Sequence, residues 1–135
     1  MLKYVESSLK GDGFMKFEIK DPGSAITHFI GMLMAAFAAT PLLIRAARNP
    51  DKIHLISLSI FIVSMILLYA ASTTYHTLNL SERTNRILRK IDHCMIFVLI
   101  AGSYTPVCLI VLGGRTGYAL CALVWTVALA GIFLK

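Results

Sequence analysis

The sequence predicts an all-α, polytopic integral membrane protein with four transmembrane helices, and two observations carry this prediction. Hydrophobic residues make up 57% of the 135 residues, whereas charged residues make up only 15%. The apolar residues are concentrated in four uncharged runs, at 22–44, 53–81, 93–114 and 116–134. A helix of about 20 apolar residues crosses a bilayer core of roughly 30 Å. Helices also satisfy their own backbone hydrogen bonds, which lipid cannot do.

The first predicted helix covers 24–44. The segment Asp21–Ser24 contains a Pro-Gly break, and Ser24 is a suitable N-cap. Pro41 predicts a kink or an end in the last turn. Small residues spaced four apart favour close packing against a neighbouring helix. The face that they form also contains a histidine, and its members are His28, Gly31, Ala35 and Ala39.

The other three predicted helices cover 54–78, 92–112 and 116–134. In the second of them, Ser72 and His76 lie four residues apart and therefore share one face. In the third, Asp92 is expected in the first turn, where a carboxylate suits the positive end of the helix dipole. Pro106 predicts a bend near the end of that helix.

Charge predicts the orientation. The chain carries 13 Lys and Arg against 7 Asp and Glu, a net charge of +6. Eight of the basic residues lie in the mixed-charge tail 1–22 and in the second loop, and four lie in the other two loops. Because cytoplasmic loops are richer in Lys and Arg, the N-terminal tail is expected to be cytoplasmic. The protein is expected to lie in the inner cell membrane. Basic residues at helix ends contact lipid headgroups, so we expect membrane lipids as partners and no nucleic acid.

Polar side chains at the edges of membrane helices are costly and often mark a functional site. His76 could be a metal ligand, and Ser72 could hold a carboxylate or a water by a hydrogen bond. Asp92 could orient a water or a ligand. One histidine does not make a metal site, however. The alternative is that these residues only form hydrogen bonds where two helices enter the interface.

Four short motifs occur in order along the chain. They are Ala25–Gly31, Ser72–His76, Arg89–His93 and Gly102–Pro106. In combination, over about residues 21 to 135, they resemble the hemolysin III family, the bacterial relatives of the adiponectin and progestin receptors. The resemblance implies that the four predicted helices correspond to the first four of a seven-helix bundle.

The resemblance also implies a zinc site near the cytoplasmic side. Members of that family carry a Ser-x3-His motif on the second helix, an aspartate at the start of the third and a His-x3-His motif on the seventh. By this resemblance His76 is a zinc ligand, Ser72 is the motif serine and Asp92 contacts the zinc-bound water. This chain contains no His-x3-His motif, so its ligand set is incomplete.

Three functions are therefore expected as alternatives. The first is a zinc-dependent membrane hydrolase that acts on an amide bond in a lipid, with a homo-oligomer or a complementary fragment supplying helices five to seven. The second is a haemolytic, pore-forming or permeability-modulating protein. The third is a truncated gene product without independent activity.

Overall fold

The computed structural model describes residues 19–135, so most of the predicted tail 1–22 lies outside the described residues. The all-α prediction is confirmed. Residues 19–135 form four long helices, each long and apolar enough to cross a membrane. Their bounds are α1 Pro22–Ala47, α2 Lys52–Thr77, α3 Glu82–Pro106 and α4 Gly114–Phe133, and a π-helical segment, Val107–Leu112, follows α3.

The N-cap of α1 is Asp21, and the prediction of Ser24 as the cap is wrong. The carboxylate of Asp21 accepts hydrogen bonds from the Ser24 backbone N–H at 3.5 Å and from the Ser24 hydroxyl at 2.7 Å. Pro22 occupies the first helical position, where its missing N–H removes no helical hydrogen bond. The helix therefore begins at Pro22 itself, within the Pro-Gly segment that predicts a break.

The third helix begins at Glu82, and the prediction of a start near Asp92 is also wrong. The Ser81 hydroxyl accepts a hydrogen bond from the Thr84 backbone N–H at 3.3 Å and caps the helix. The first turns of α3 are charged and mostly exposed, so a prediction from uncharged runs does not include them. Asp92 is consequently an interior residue of α3. Its carboxylate does not lie in the first turn, where the helix dipole would stabilise it.

The two prolines have different effects. The α1 helix continues through Pro41 to Ala47, so Pro41 does not end it. At Pro106 the α-helical pattern stops and the π-helical segment begins, which agrees with the irregularity that this proline predicts. Gly113 and Gly114, with φ of 59° and 55°, then reverse the chain into α4.

Each helix packs on its neighbour along the chain. Within residues 19–135, α1 contacts α2 alone, α3 contacts α2 and α4, and α4 contacts only α3 and the π-helical segment. Short connections make consecutive helices antiparallel. The start of α1, the end of α2 and the start of α3 therefore lie together, here called the α2–α3 end. The end of α1 and the start of α2 form the opposite, α1–α2 end.

Small residues set the helix crossings. A Cβ on Gly102 would overlap the side chain of Ser64, so α3 approaches α2 more closely there than any larger residue allows. Ser64 is 2% exposed, and its hydroxyl donates to the carbonyl of Phe61. A Cβ on Gly31 would lie 3.0 Å from the ring of Tyr69, which fixes the corresponding contact between α1 and α2.

We expect Gly102→Ala to destabilise the protein by about 1–3 kcal/mol through overpacking against Ser64. Alanine is the better helix former, so a loss of stability cannot come from helix propensity. The measurement is unfolding of the purified protein in detergent. Gly23→Ala is the matched control, because its Cβ would meet only an ordinary contact at 3.8 Å. Equal stability of the two variants would contradict the assigned crossing.

Candidate functional site

His76 and Asp21 join the last turn of α2 to the start of α1. The backbone N–H of Asp21 donates to the carbonyl of His76 at 2.9 Å. The Nδ1 atom of His76 also lies 3.3 Å from the Asp21 Oδ2 atom. The same carboxylate caps α1, so one residue starts the helix and orients the predicted metal ligand.

A second histidine lies beside the first. The Nδ1 atom of His28, on α1, is 2.6 Å from the Oγ atom of Ser72, on α2. The ring centroids of His28 and His76 are 5.7 Å apart, and the rings are nearly perpendicular at 80°. Ser72 is only 4% exposed. We call Asp21, His28, Ser72 and His76 the histidine cluster. It contains two of the three predicted site residues.

Asp92, the third predicted site residue, lies on α3 and is 8% exposed. Its carboxylate is 3.7 Å from the Nδ1 atom of His93, the next residue in the chain. Within residues 19–135, no hydrogen bond or ion pair joins Asp92 to Ser72 or His76. The structure therefore does not bring the carboxylate into direct contact with the histidine cluster.

The register of α2 and α3 nevertheless places Asp92 at the depth of the cluster. The Nε atom of Arg89 donates to the hydroxyl of Tyr75 at 2.9 Å, so these two residues mark one level. Asp92 follows Arg89 in α3, and Ser72 precedes Tyr75 in α2, by the same number of residues. Because the helices are antiparallel, Asp92 and Ser72 lie at about the same level.

Two cations surround Tyr75 at the same end. The Nζ atom of Lys20 lies 3.5 Å from the ring centroid, and the Cζ atom of Arg89 lies 6.0 Å from it. Tyr75 also packs against the ring of His76, with centroids 4.9 Å apart. A cation over an aromatic face is attracted by the ring quadrupole. Lys20, Tyr75 and Arg89 thus tie the chain before α1 to α2 and α3 and enclose one side of His76.

The electrostatics of Asp21 favour its charged form. Hydrogen bonds from the Ser24 side chain and backbone lower the pKa of Asp21 below its ordinary value of 3.8, and His76 contributes in the same direction. Asp21 is therefore a carboxylate at neutral pH. A carboxylate beside Nδ1 favours a proton on that nitrogen, which leaves Nε2 as the nitrogen with a free lone pair.

The described residues do not complete a zinc site. Within residues 19–135, no three His, Cys, Asp or Glu side chains converge closely enough to hold a metal ion. Catalytic zinc takes three protein ligands and keeps an open position. The histidine cluster presents two imidazoles, each with its Nδ1 atom engaged by a neighbour. It fits the role of a partial donor set, and the described residues add no third ligand.

Sequence reasoning missed the partners of the predicted residues. Asp21 was interpreted as part of a chain break, although an aspartate directly before a proline is itself a signal for a helix start. His28 was placed on the packing face of the first helix, and the structure shows that this face contacts Ser72. Nothing in the sequence indicated that Tyr75 would bind Arg89, because that pairing depends on the register of two helices.

Comparisons with known proteins agree on one family. The family model described as "Haemolysin-III related" matches residues 18–135. The chain is 45% identical over 120 residues to the "Hemolysin-3 homolog" of Bacillus subtilis (strain 168), which covers 88% of this chain and 56% of that protein. It is 38% identical over 122 residues to "Hemolysin-3" of Bacillus cereus, with coverages of 90% and 54%. The chain thus spans about half the length of the curated relatives it matches. No solved structure matches.

We expect the contribution of Asp21 to stability to depend on pH. Because folding lowers its pKa below 3.8, the ionised cap stabilises the protein at neutral pH, and this stabilisation is lost as the pH falls through the lowered pKa. Unfolding of the wild type and of Asp21→Ala in detergent should therefore differ most near neutral pH and converge in acid.

The control for this prediction is Asp21→Asn, since asparagine also caps helices but does not titrate. It should remain close to the wild type at neutral pH and should show a weaker loss of stability in acid. A difference between the wild type and Asp21→Ala that stays constant down to the most acidic pH would contradict the assignment.

Proposed function

The chain belongs to the haemolysin-III-related family, and on this premise we propose that its α2–α3 end forms one side of a zinc-dependent hydrolytic site within the membrane. His76 is the zinc ligand on this chain. Zinc, when bound, would act as a Lewis acid that activates water at neutral pH. The remaining ligands come from another segment or from a second copy of the chain, because the described residues supply no third donor.

The contact between the His76 Nδ1 atom and the Asp21 carboxylate is the observation that carries this proposal. Histidines that bind metals almost always direct their second ring nitrogen to a carboxylate, a carbonyl or a water, which fixes the tautomer and the ring orientation. His76 has this arrangement at the end of a membrane helix, where an unpaired imidazole would be costly. The geometry thus suits a ligand that binds through Nε2.

Ser72 and Asp92 have supporting roles in this proposal. The Ser72 hydroxyl is engaged by His28, so it holds the neighbouring imidazole in place beside His76. Asp92 is a buried side chain at the same depth, and among the described residues its carboxylate lies within 4 Å of one basic side chain, His93. It is therefore available to accept a proton from a water or a substrate group that enters beside the cluster.

The position of the cluster favours a lipid substrate. It lies at one end of helices whose outer faces are strongly apolar, and these exposed side chains include Phe29, Ile30 and Phe37. A lipid can reach such a site from the membrane without entering bulk water. We therefore propose hydrolysis of an amide bond near the headgroup of a lipid. The excess of Lys and Arg at this end supports a position on the cytoplasmic face.

Zinc affinity tests the proposal. The purified chain in detergent is titrated with zinc against a chromogenic chelator. We expect His76→Ala to weaken binding by at least about tenfold, and Asp21→Ala to weaken it by about 10–100-fold as the ligand loses its orienting carboxylate.

His93→Ala is the matched control, because it removes an imidazole at the same end of the molecule whose Nδ1 atom faces the Arg89 carbonyl at 2.8 Å. Zinc binding should not change in this variant. If His76→Ala and His93→Ala bind zinc equally well, His76 is not the ligand. A stoichiometry of one zinc for two chains would indicate that a second copy completes the site.

A further inference from the structure

A second polar site lies at the α1–α2 end, opposite the histidine cluster. The end of α1 and the start of α2 enclose a cleft of about 480 Å³. Its lining combines basic, polar and apolar side chains: Leu42, Arg45, Ala46, Arg48, Asn49, Pro50, His54 and Leu58. No step of the proposed zinc chemistry uses these residues.

The two arginines of the cleft have no anionic partner among the described residues. Within residues 19–135, neither Arg45 nor Arg48 forms an ion pair or lies over an aromatic ring. Asp51 is close in sequence, but its carboxylate accepts the Ile53 backbone N–H at 2.9 Å and caps α2. It is not part of the cleft lining. Both arginines therefore line an open cleft, and their guanidinium N–H donors have no protein partner among residues 19–135.

Part of this positive charge serves α1 itself, since Arg45 lies in the last turn and opposes the negative end of the helix dipole. That interaction does not consume the planar set of N–H donors. Guanidinium groups bind phosphate oxygens with two parallel hydrogen bonds, which a helix terminus does not satisfy. The cleft thus retains the donors that recognise a phosphate.

Leucine side chains also line the cleft. Leu42 and Leu58 lie about one helical turn further from the loop than Arg45 and His54, along the membrane-spanning parts of α1 and α2. A ligand that fills this cleft must therefore have an anionic head at the arginines and a hydrocarbon portion beside the leucines. This division matches a phospholipid at the membrane surface, where headgroup and acyl chain meet.

We propose that the cleft is a binding site for one anionic phospholipid. Its phosphate is held by Arg45 and Arg48, and its acyl chain lies against Leu42 and Leu58. The site is independent of the zinc proposal, because it occupies the opposite end of the same helix pair.

Native mass spectrometry of the chain in detergent, with phosphatidylglycerol or phosphatidylcholine added, tests this proposal. The wild type should retain one phosphatidylglycerol in preference to phosphatidylcholine. The variant Arg45→Gln/Arg48→Gln should lose about 30-fold in affinity, since two basic contacts are removed. Arg45→Lys/Arg48→Lys keeps the charge without the paired donors and should lose less.

Arg83→Gln/Arg86→Gln is the matched control, because it removes the same charge from the α2–α3 end. It should bind the lipid as the wild type does, and circular dichroism should report unchanged helix content in all variants. Equal weakening in this control and in Arg45→Gln/Arg48→Gln would show attraction by net charge and would overturn the site. Equally tight binding of Arg45→Gln/Arg48→Gln and the wild type would also overturn it.

A further arm of the experiment distinguishes a lipid from a free phosphate. Inorganic phosphate and glycerol 3-phosphate carry the anionic group without an acyl chain. They should fail to displace phosphatidylglycerol, because they make no contact with Leu42 and Leu58. Displacement by either compound at concentrations comparable to that of the lipid would overturn the assignment of a phospholipid.

Discussion

The structure depends on one carboxylate that satisfies several polar groups where α1 begins and α2 ends. Asp21 caps α1 through Ser24, its backbone N–H donates to the carbonyl of His76, and its Oδ2 atom lies beside the His76 ring. An unsatisfied helix terminus and an unpaired imidazole are both costly at a membrane boundary. Because one residue serves both, the start of α1 and the end of α2 are held together, and the orientation of His76 follows from the same contact.

The sequence predicted the existence of the helices well and their ends poorly. Uncharged runs of membrane-spanning length identify α1 to α4, since a helix satisfies the backbone of such a run within the segment itself. The ends depend on local hydrogen bonds, which composition does not report. Thus α3 begins at the charged residue Glu82, although the uncharged run predicts a start near Asp92. Likewise α1 begins at Pro22, although the Pro-Gly sequence predicts a break there.

The candidate site shows the same division. The spacing of Ser72 and His76 predicted that they share a face, and the structure places both in the histidine cluster. Their partners, Asp21 and His28, come from α1, and only the packing of two helices could reveal them. The depth of Asp92 relative to Ser72 follows only from the register that the Tyr75–Arg89 hydrogen bond defines. The sequence therefore could not predict which side chains of different helices contact one another in the candidate site.

The most direct test of this account is the tautomer of His76, measured by 15N NMR of the imidazole nitrogens in the detergent-solubilised chain at a pH where the ring is neutral. The contact with Asp21 predicts that Nδ1 carries the proton and that Nε2 is unprotonated, and that this preference is lost in Asp21→Ala. A proton on Nε2 in the wild type, or the same tautomer in both proteins, would contradict the account.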